Sequence, residues 1–128
     1  MNANERECTN DVAKAVVGAA YEVANVLGGG FLEKVYERAL AVEIGANGLD
    51  VQRQVPLTVS YKGVDVGEYV ADMVVEGNLI VELKCVEHLA SVHMAQCLNY
   101  LKSTGLHLAL LINFHHGHVE WQRVVSNF

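Results

Sequence analysis

The sequence predicts an α/β domain with a mixed β-sheet flanked by helices. Three observations point there. Apolar residues recur at helical spacing up to Ala46. From Val51 the pattern changes to short apolar and β-branched runs divided by turn signals. A further helical stretch from about Ala90 to Ser103 then interrupts the strands, so the order is helix, helix, strands, helix, strands. The 128 residues fit one domain, spanning 1–128, long enough to bury well over half of its unfolded surface.

The polar stretch MNANERECTND opens the chain, and residues 1–10 are expected to be a flexible lead. Thr9 or Asn10 is expected to cap a first helix that runs to about Leu27. Its buried stripe is Val12, Val16, Ala19, Ala20, Val23 and Val26, and Gly28 stops it. Gly28-Gly29-Gly30 is expected to be a flexible joint and not a phosphate loop, because no Lys-Ser/Thr follows. A second helix spans about Phe31 to Ala46, with Leu32, Val35, Tyr36, Ala39, Leu40 and Ile44 turned inward. Strands follow at Val51–Tyr61 and, after a Lys62-Gly63 turn, at Val64–Glu68. Next comes a hairpin, Val70–Val75 and Leu79–Leu83, around Glu76-Gly77-Asn78. The third helix is capped near Ser91 and closed by Gly105. Leu106–Phe114 and His118–Val125 are the last strands, joined through His115, His116 and Gly117. Trp121 and Phe128 are expected to pack, and an edge strand bearing them offers a surface for a homo-oligomer.

Composition narrows the function classes. A hydrophobic content of 52% with 1 Pro suits a compact globule without long linkers. No apolar run approaches the roughly 20 residues that span a bilayer, so no membrane role is expected. The opening residues are neither a secretory signal nor a transit peptide. Cys8, Cys85 and Cys97 form no spaced pair, which suits a reducing cytoplasmic setting with Cys85 and Cys97 as small buried residues. The net charge of −6, from 9 Lys and Arg against 15 Asp and Glu, argues against tight metal-free DNA binding. A nuclease partly escapes that objection, because metal ions supply positive charge at the phosphate.

The chemistry concentrates in VADMVVEGNLIVELK, Val70 to Lys84. With the hairpin centred on Gly77, Asp72 falls directly opposite Glu82. Alternation then puts Asp72, Glu82 and Lys84 on one face, and Ala71, Met73, Val75, Leu79, Val81 and Leu83 on the other. Like charges opposite each other on a sheet are destabilising. At about 5 Å and an effective dielectric of about 20 the repulsion is roughly 3 kcal/mol. A divalent cation between the carboxylates would turn that cost into a binding site.

The pattern of Asp72 followed by Glu82-x-Lys84 resembles the PD-(D/E)xK nuclease superfamily, with Ala71 where that name has proline. Gly30-Phe-Leu-Glu33-Lys-Val-Tyr36 spells GxxExxY, and Gln96-Cys-Leu-Asn-Tyr100 spells the QxxxY helix motif of RecB-type members. Together with VPLTVSYKG, IVELK, AQCLNYLKSTG and LLINF, the chain is similar to the small GxxExxY protein family from about Val12 to Val125. The resemblance implies a restriction-endonuclease-like core. It implies that Asp72 and Glu82 ligate Mg²⁺ or Mn²⁺, aided by the backbone carbonyl of Leu83 and by Glu33 through water. Lys84 would orient the attacking water or stabilise charge on the phosphate. Gln96, Tyr100, Tyr36 and His93 would contact substrate or support the site.

Each of these residues also has a plainer reading. Asp72, Glu82 and Lys84 suit a half-exposed strand face with a Glu–Lys pair. Glu33 suits the first turn of a helix, where the macrodipole favours a carboxylate. Gln96 and Tyr100, with His93 one turn earlier, suit packing of a helix on a sheet. Tyr36 suits packing or hydrogen bonding more than catalysis. His115, His116 and His118 form an HHxH run that suits an exposed turn better than a metal site. The function implied is divalent-metal-dependent hydrolysis of a nucleic-acid phosphodiester, DNA foremost. Alternatives are a non-catalytic interaction or regulatory module on the same fold, and a metal-dependent hydrolase of a small phosphorylated molecule.

Overall fold

The computed structural model describes residues 2–126; the packing expected of Phe128 lies outside them. The chain runs α1 (Ala3–Leu27), α2 (Glu33–Ala46), β1 (Val51–Tyr61), β2 (Val64–Val75), β3 (Leu79–Lys84), α3 (Ser91–Thr104), β4 (Leu108–His115) and β5 (His118–Val125). The strands form one sheet in the order β1-β2-β3-β4-β5. β3 and β4 are parallel, as their α3 crossover requires, and the other neighbours are antiparallel. The fold is the α/β arrangement with a mixed sheet that the sequence predicts.

α1 begins earlier than expected. Asn2 accepts the Glu5 N–H at 2.9 Å while Glu5 accepts the Asn2 N–H at 3.3 Å, a reciprocal cap. Residues 3–10, expected as a flexible lead, are therefore helical. Thr9 lies inside α1, its hydroxyl donating to the Glu5 carbonyl at 2.9 Å. The helix stops at Gly28, whose φ of 69° is of the kind glycine tolerates.

α1 and α2 cover one face of the sheet, against Met73, Val75, Val81, Leu83, Leu110 and Ile112. α3 covers the other, where Cys97, Tyr100 and Leu101 meet Ile80, Ala109 and Leu111. Both expected stripes hold in the main, with Val12, Val16, Ala19, Ala20 and Val23 of α1 and Tyr36, Leu40 and Ile44 of α2 buried, and differ at single positions. Val26 in α1 is 72% exposed, and at α2 Leu32 is 79% exposed and Val35 lies outward. The inner face of α2 is Tyr36, Glu37, Leu40 and Ile44, so a carboxylate occupies a place expected for an aliphatic residue. Glu37 can be buried because it is paired: it accepts from Gln54 Nε2 at 2.6 Å and Lys34 Nζ at 3.2 Å, with an Arg53 guanidinium nitrogen 3.6 Å away.

The triglycine segment is a close contact and not a loose joint. A Cβ on Gly29 would sit 2.7 Å from the backbone of His116 and Gly117. Tyr36 ties the segment down, donating its hydroxyl proton to the Gly28 carbonyl at 2.7 Å and stacking on Phe114 at 4.8 Å. His116 and Gly117, with φ of 50° and 79°, make the tight β4–β5 turn.

β2 is one continuous strand where two were expected. It pairs with β3 only over Met73–Val75, so Val64–Val70 is paired with β1 alone and is exposed throughout. The β1–β2 register is unchanged from Arg53↔Met73 to Val55↔Ala71, but the Gln54–Asp72 pair between them is missing; the register itself shifts only between Val59 and Ser60. Opposite the skipped position, Gln54 has a φ of 54°. In consequence Ala71 belongs to the α3-side core and not, as expected, to the face with Met73 and Val75.

Candidate active site

β3 is apolar from Leu79 to Val81, then presents Glu82, Leu83 and Lys84 at its C-terminal end. The β2–β3 ladder stops at Met73↔Val81, one step short of the Asp72–Glu82 pairing expected from the turn. The carboxylates take over where the ladder ends. The Asp72 N–H donates to Glu82 Oε1 at 2.7 Å, and the Leu83 N–H donates to Asp72 Oδ2 at 2.8 Å. Each carboxylate thus satisfies a backbone donor of the opposite strand, and both are fixed in orientation.

Glu82 is only 3% exposed. Burial and then the Asp72 charge push its carboxyl up from 4.5 to about 8, only partly offset by the Asp72 N–H and Lys84. Burial likewise raises Asp72, against the lowering effect of the Leu83 N–H. Glu33, in the first turn of α2, is raised by burial first and by Asp72 next; its surface remains open to solvent, which screens its effect on stability. Asp72, Glu82, Lys84 and Glu33 therefore share one electrostatic environment, reached from β2, β3 and α2.

On the α3 side, Gln96 Nε2 donates to the Tyr100 hydroxyl at 2.9 Å. Burial and then the Glu82 and Asp72 charges push Tyr100 up to about 12. Near neutral pH its hydroxyl, which accepts from Gln96, keeps its proton and is not a base. The Cys97 thiol, buried under the same helix, is also pushed up to about 12 by burial and by Glu82, which leaves it an inert packing group. His93 accepts the Ala90 N–H on Nδ1 at 3.0 Å and so caps α3, while its ring borders the same groove as Gln96 and Tyr100. Tyr36 lies apart from this group, its hydroxyl engaged with Gly28 and Phe31. His115 and His116 pack against each other at 4.0 Å in the β4–β5 turn.

Two supporting residues escaped sequence reasoning. Asn113, fully buried in β4 beside Lys84, donates to the Val86 carbonyl at 2.8 Å and accepts the Val86 N–H at 2.9 Å. It braces the segment that leaves β3 directly after Lys84. A lone amide in the apolar run LALLINF was the available signal. Glu37 is the other, signalled only by its place four residues after Glu33, on the same helix face.

The donor set suits a hard divalent cation: paired carboxylates, one of them buried and raised by its neighbour's charge. Among the described residues, no three Asp, Glu, His or Cys side chains gather as a complete cage. Water and substrate oxygens would have to complete the coordination of any such ion.

Five strands in mixed order, with helices on both faces and acidic groups at the open end of a central strand, define a restriction-endonuclease-like protein. The sequence model of the PD-(D/E)XK nuclease superfamily matches residues 10–124. The chain belongs to that superfamily. Among solved structures, the crystal structure of SSO0001 is similar in fold, with a TM-score of 0.61 at 13% identity, over 74% of this chain and 50% of that one. This chain thus spans about half the length of that structure. An alkaline exonuclease (LHK-Exo) from Laribacter hongkongensis aligns over 84% of this chain and 76% of its own, at 12% identity. Its TM-score is 0.44, too low to argue from. No curated protein matches the sequence.

Proposed function

We propose that this protein is a divalent-metal-dependent nuclease of the GxxExxY, RecB-like QxxxY type, hydrolysing nucleic-acid phosphodiesters and DNA foremost. The observation that carries the proposal is the interlocked pair: Asp72 and Glu82 held on opposite backbone N–H groups beside Lys84, in a chain of this superfamily. Asp72 and Glu82 would hold Mg²⁺ or Mn²⁺ with the Leu83 carbonyl, and Glu33 would join through water. When bound, such an ion supplies Lewis-acid charge at the phosphate. Lys84 orients the attacking water and offsets negative charge on the phosphoryl oxygens. As water attacks phosphorus, one P–O ester bond breaks and the leaving oxygen takes a proton. Gln96 and Tyr100 hold substrate or water from the α3 side, with His93 at the groove's end. Tyr36 acts at a distance, by fixing the start of the helix that carries Glu33.

The scattered free thiols support a reducing, cytoplasmic setting. Among the described residues no helix is long and apolar enough to cross a membrane. The net charge of −6 favours a second reading, a metal-dependent hydrolase of a small phosphorylated molecule, which needs no attractive surface field.

The test is cleavage of single- and double-stranded DNA and RNA, with free and blocked ends, in Mg²⁺ or Mn²⁺. Degradation is expected to vanish with a chelator and to fall by roughly 10²-fold or more in Lys84→Ala. Metal binding without cleavage of any polymer would favour the small-substrate reading.

A further inference from the structure

Beside the candidate site, a groove of about 300 Å³ runs between the free part of β2 and the exposed flank of α3. Its walls are Tyr69 from β2 and Val92, His93, Gln96, Asn99 and Tyr100 from α3. Tyr69 is 49% exposed, while Tyr100 is almost wholly buried. Their rings lie 5.9 Å apart and tilted by 57°, so Tyr69 leans on Tyr100 and keeps much of its own surface in solvent. An exposed aromatic ring bordered by an imidazole and two carboxamides matches what an unpaired nucleobase needs: a surface to stack on and groups to bond its edge.

Position supports the same occupant. Tyr69 precedes Asp72 by three residues on one strand, a separation of about 10 Å. A base held there would be within reach of a nucleotide strand whose phosphate lies at Asp72. Tyr100 makes the two regions continuous, since its ring faces Tyr69 and its hydroxyl feels the charges of Glu82 and Asp72.

Charge supplies an independent argument. A chain of net charge −6 has little attraction for a phosphate backbone. Beside the charge a bound metal would supply, contact with bases is then the remaining source of affinity. Bases paired inside a duplex are stacked and out of reach of such a groove.

Resting on the nuclease reading, we infer that the Tyr69 groove is a nucleobase subsite that makes single-stranded nucleic acid the preferred substrate, with Tyr69 as its stacking platform. Binding is measured by fluorescence anisotropy on the cleavage-deficient Lys84→Ala protein in Mn²⁺. The probes are a labelled single strand, a blunt duplex of the same length, and a strand of equal length with abasic sites. The single strand is expected to bind tightest, with a shallow salt dependence, and the abasic strand to bind as weakly as the duplex. Adding Tyr69→Ala should weaken single-strand binding roughly 10-fold or more and leave the abasic strand unchanged. Adding Tyr69→Phe should preserve binding, and an unchanged melting temperature in both variants excludes misfolding as the cause. Equal binding of abasic and normal strands, or full affinity in Tyr69→Ala, overturns the subsite and leaves the nuclease reading standing. Failure to bind or cleave any nucleic acid overturns both.

Discussion

Asp72 and Glu82 secure each other's strands and not each other: the backbone N–H of Asp72 ends on the Glu82 carboxylate, and the Asp72 carboxylate takes the N–H of Leu83. The arrangement gives each carboxylate a backbone donor where the β2–β3 ladder ends. It does not remove the electrostatic cost, because Glu82 is still raised to about 8 by burial and by Asp72. Two carboxylates are thus fixed in orientation while one of them resists ionisation.

That cost sets a pH dependence. With Glu82 at about 8 in the folded protein against 4.5 ordinarily, the folded state binds the extra proton between those values. The stability tied to this proton is full below about pH 4.5 and is lost as the pH rises through about 8. Glu82→Gln keeps the acceptor for the Asp72 N–H and removes the titration. The metal-free variant is expected to be as stable as wild type or more so, by roughly 1–2 kcal/mol at neutral pH, with a flatter stability profile toward alkaline pH. Mn²⁺ should raise the melting temperature of wild type and not of the variant, because a ligand of the folded state stabilises by mass action. Thermal melts from pH 5 to 9, with chelator and with Mn²⁺, read all of this. A destabilised variant with no metal response in wild type would assign Glu82 to structure alone.

The Gln96–Tyr100 hydrogen bond separates chemistry from packing. Gln96→Ala is expected to lower turnover by about 10-fold or more while the melting temperature moves little, because Gln96 is only half-buried. Tyr100→Phe keeps the buried ring and loses the hydroxyl, so its stability should fall by only about 1 kcal/mol. Single-turnover rates compared with melting temperatures distinguish the two roles. Loss of activity in proportion to loss of stability would make this helix face part of the core.

Two glycines predict opposite effects of one substitution. Gly29→Ala brings a methyl group to 2.7 Å from backbone atoms of the β4–β5 turn, so one segment must shift. A destabilisation of about 1–3 kcal/mol is expected. Gly18 lies in α1 with open space where its Cβ would be, so Gly18→Ala should gain roughly 0.5–1 kcal/mol. Denaturant midpoints of both variants measure the difference directly.

The sequence made most of the sheet legible because its signals are local. Alternation, the Lys62-Gly63 and Glu76-Gly77-Asn78 turns and the Gly105 stop depend on neighbours in the chain. The helix stripes were less legible. Leu32 and Val35 lie outward while Glu37 is buried, a choice decided by Arg53 and Gln54, which come from another element. The early start of α1 depends on a cap formed by Asn2 and Glu5 within a polar segment that carries no apolar stripe. Asp72, Glu82 and Lys84 could be picked out because two acids facing each other violate a local rule of strand pairing. How they are held could not, since it depends on where the ladder ends. Asn113 acts only through Val86, which reaches it across the α3 crossover.

Gln54, across the β1–β2 ladder from Asp72, constrains which substitutions this part of the sheet accepts. Its left-handed backbone is unfavourable for any residue with a Cβ, which makes glycine the conformationally natural replacement. Yet Gln54 also donates to Glu37, one helical turn beyond Glu33. Gln54→Gly would relax the strand and at the same moment take the 2.6 Å amide donor from a buried carboxylate on the helix that carries Glu33, leaving it the cations of Lys34 and Arg53. The favourable exchange is therefore a coupled one: Gln54→Gly becomes tolerable once Glu37 is an uncharged residue such as Leu, so the two positions should be permissive only in combination.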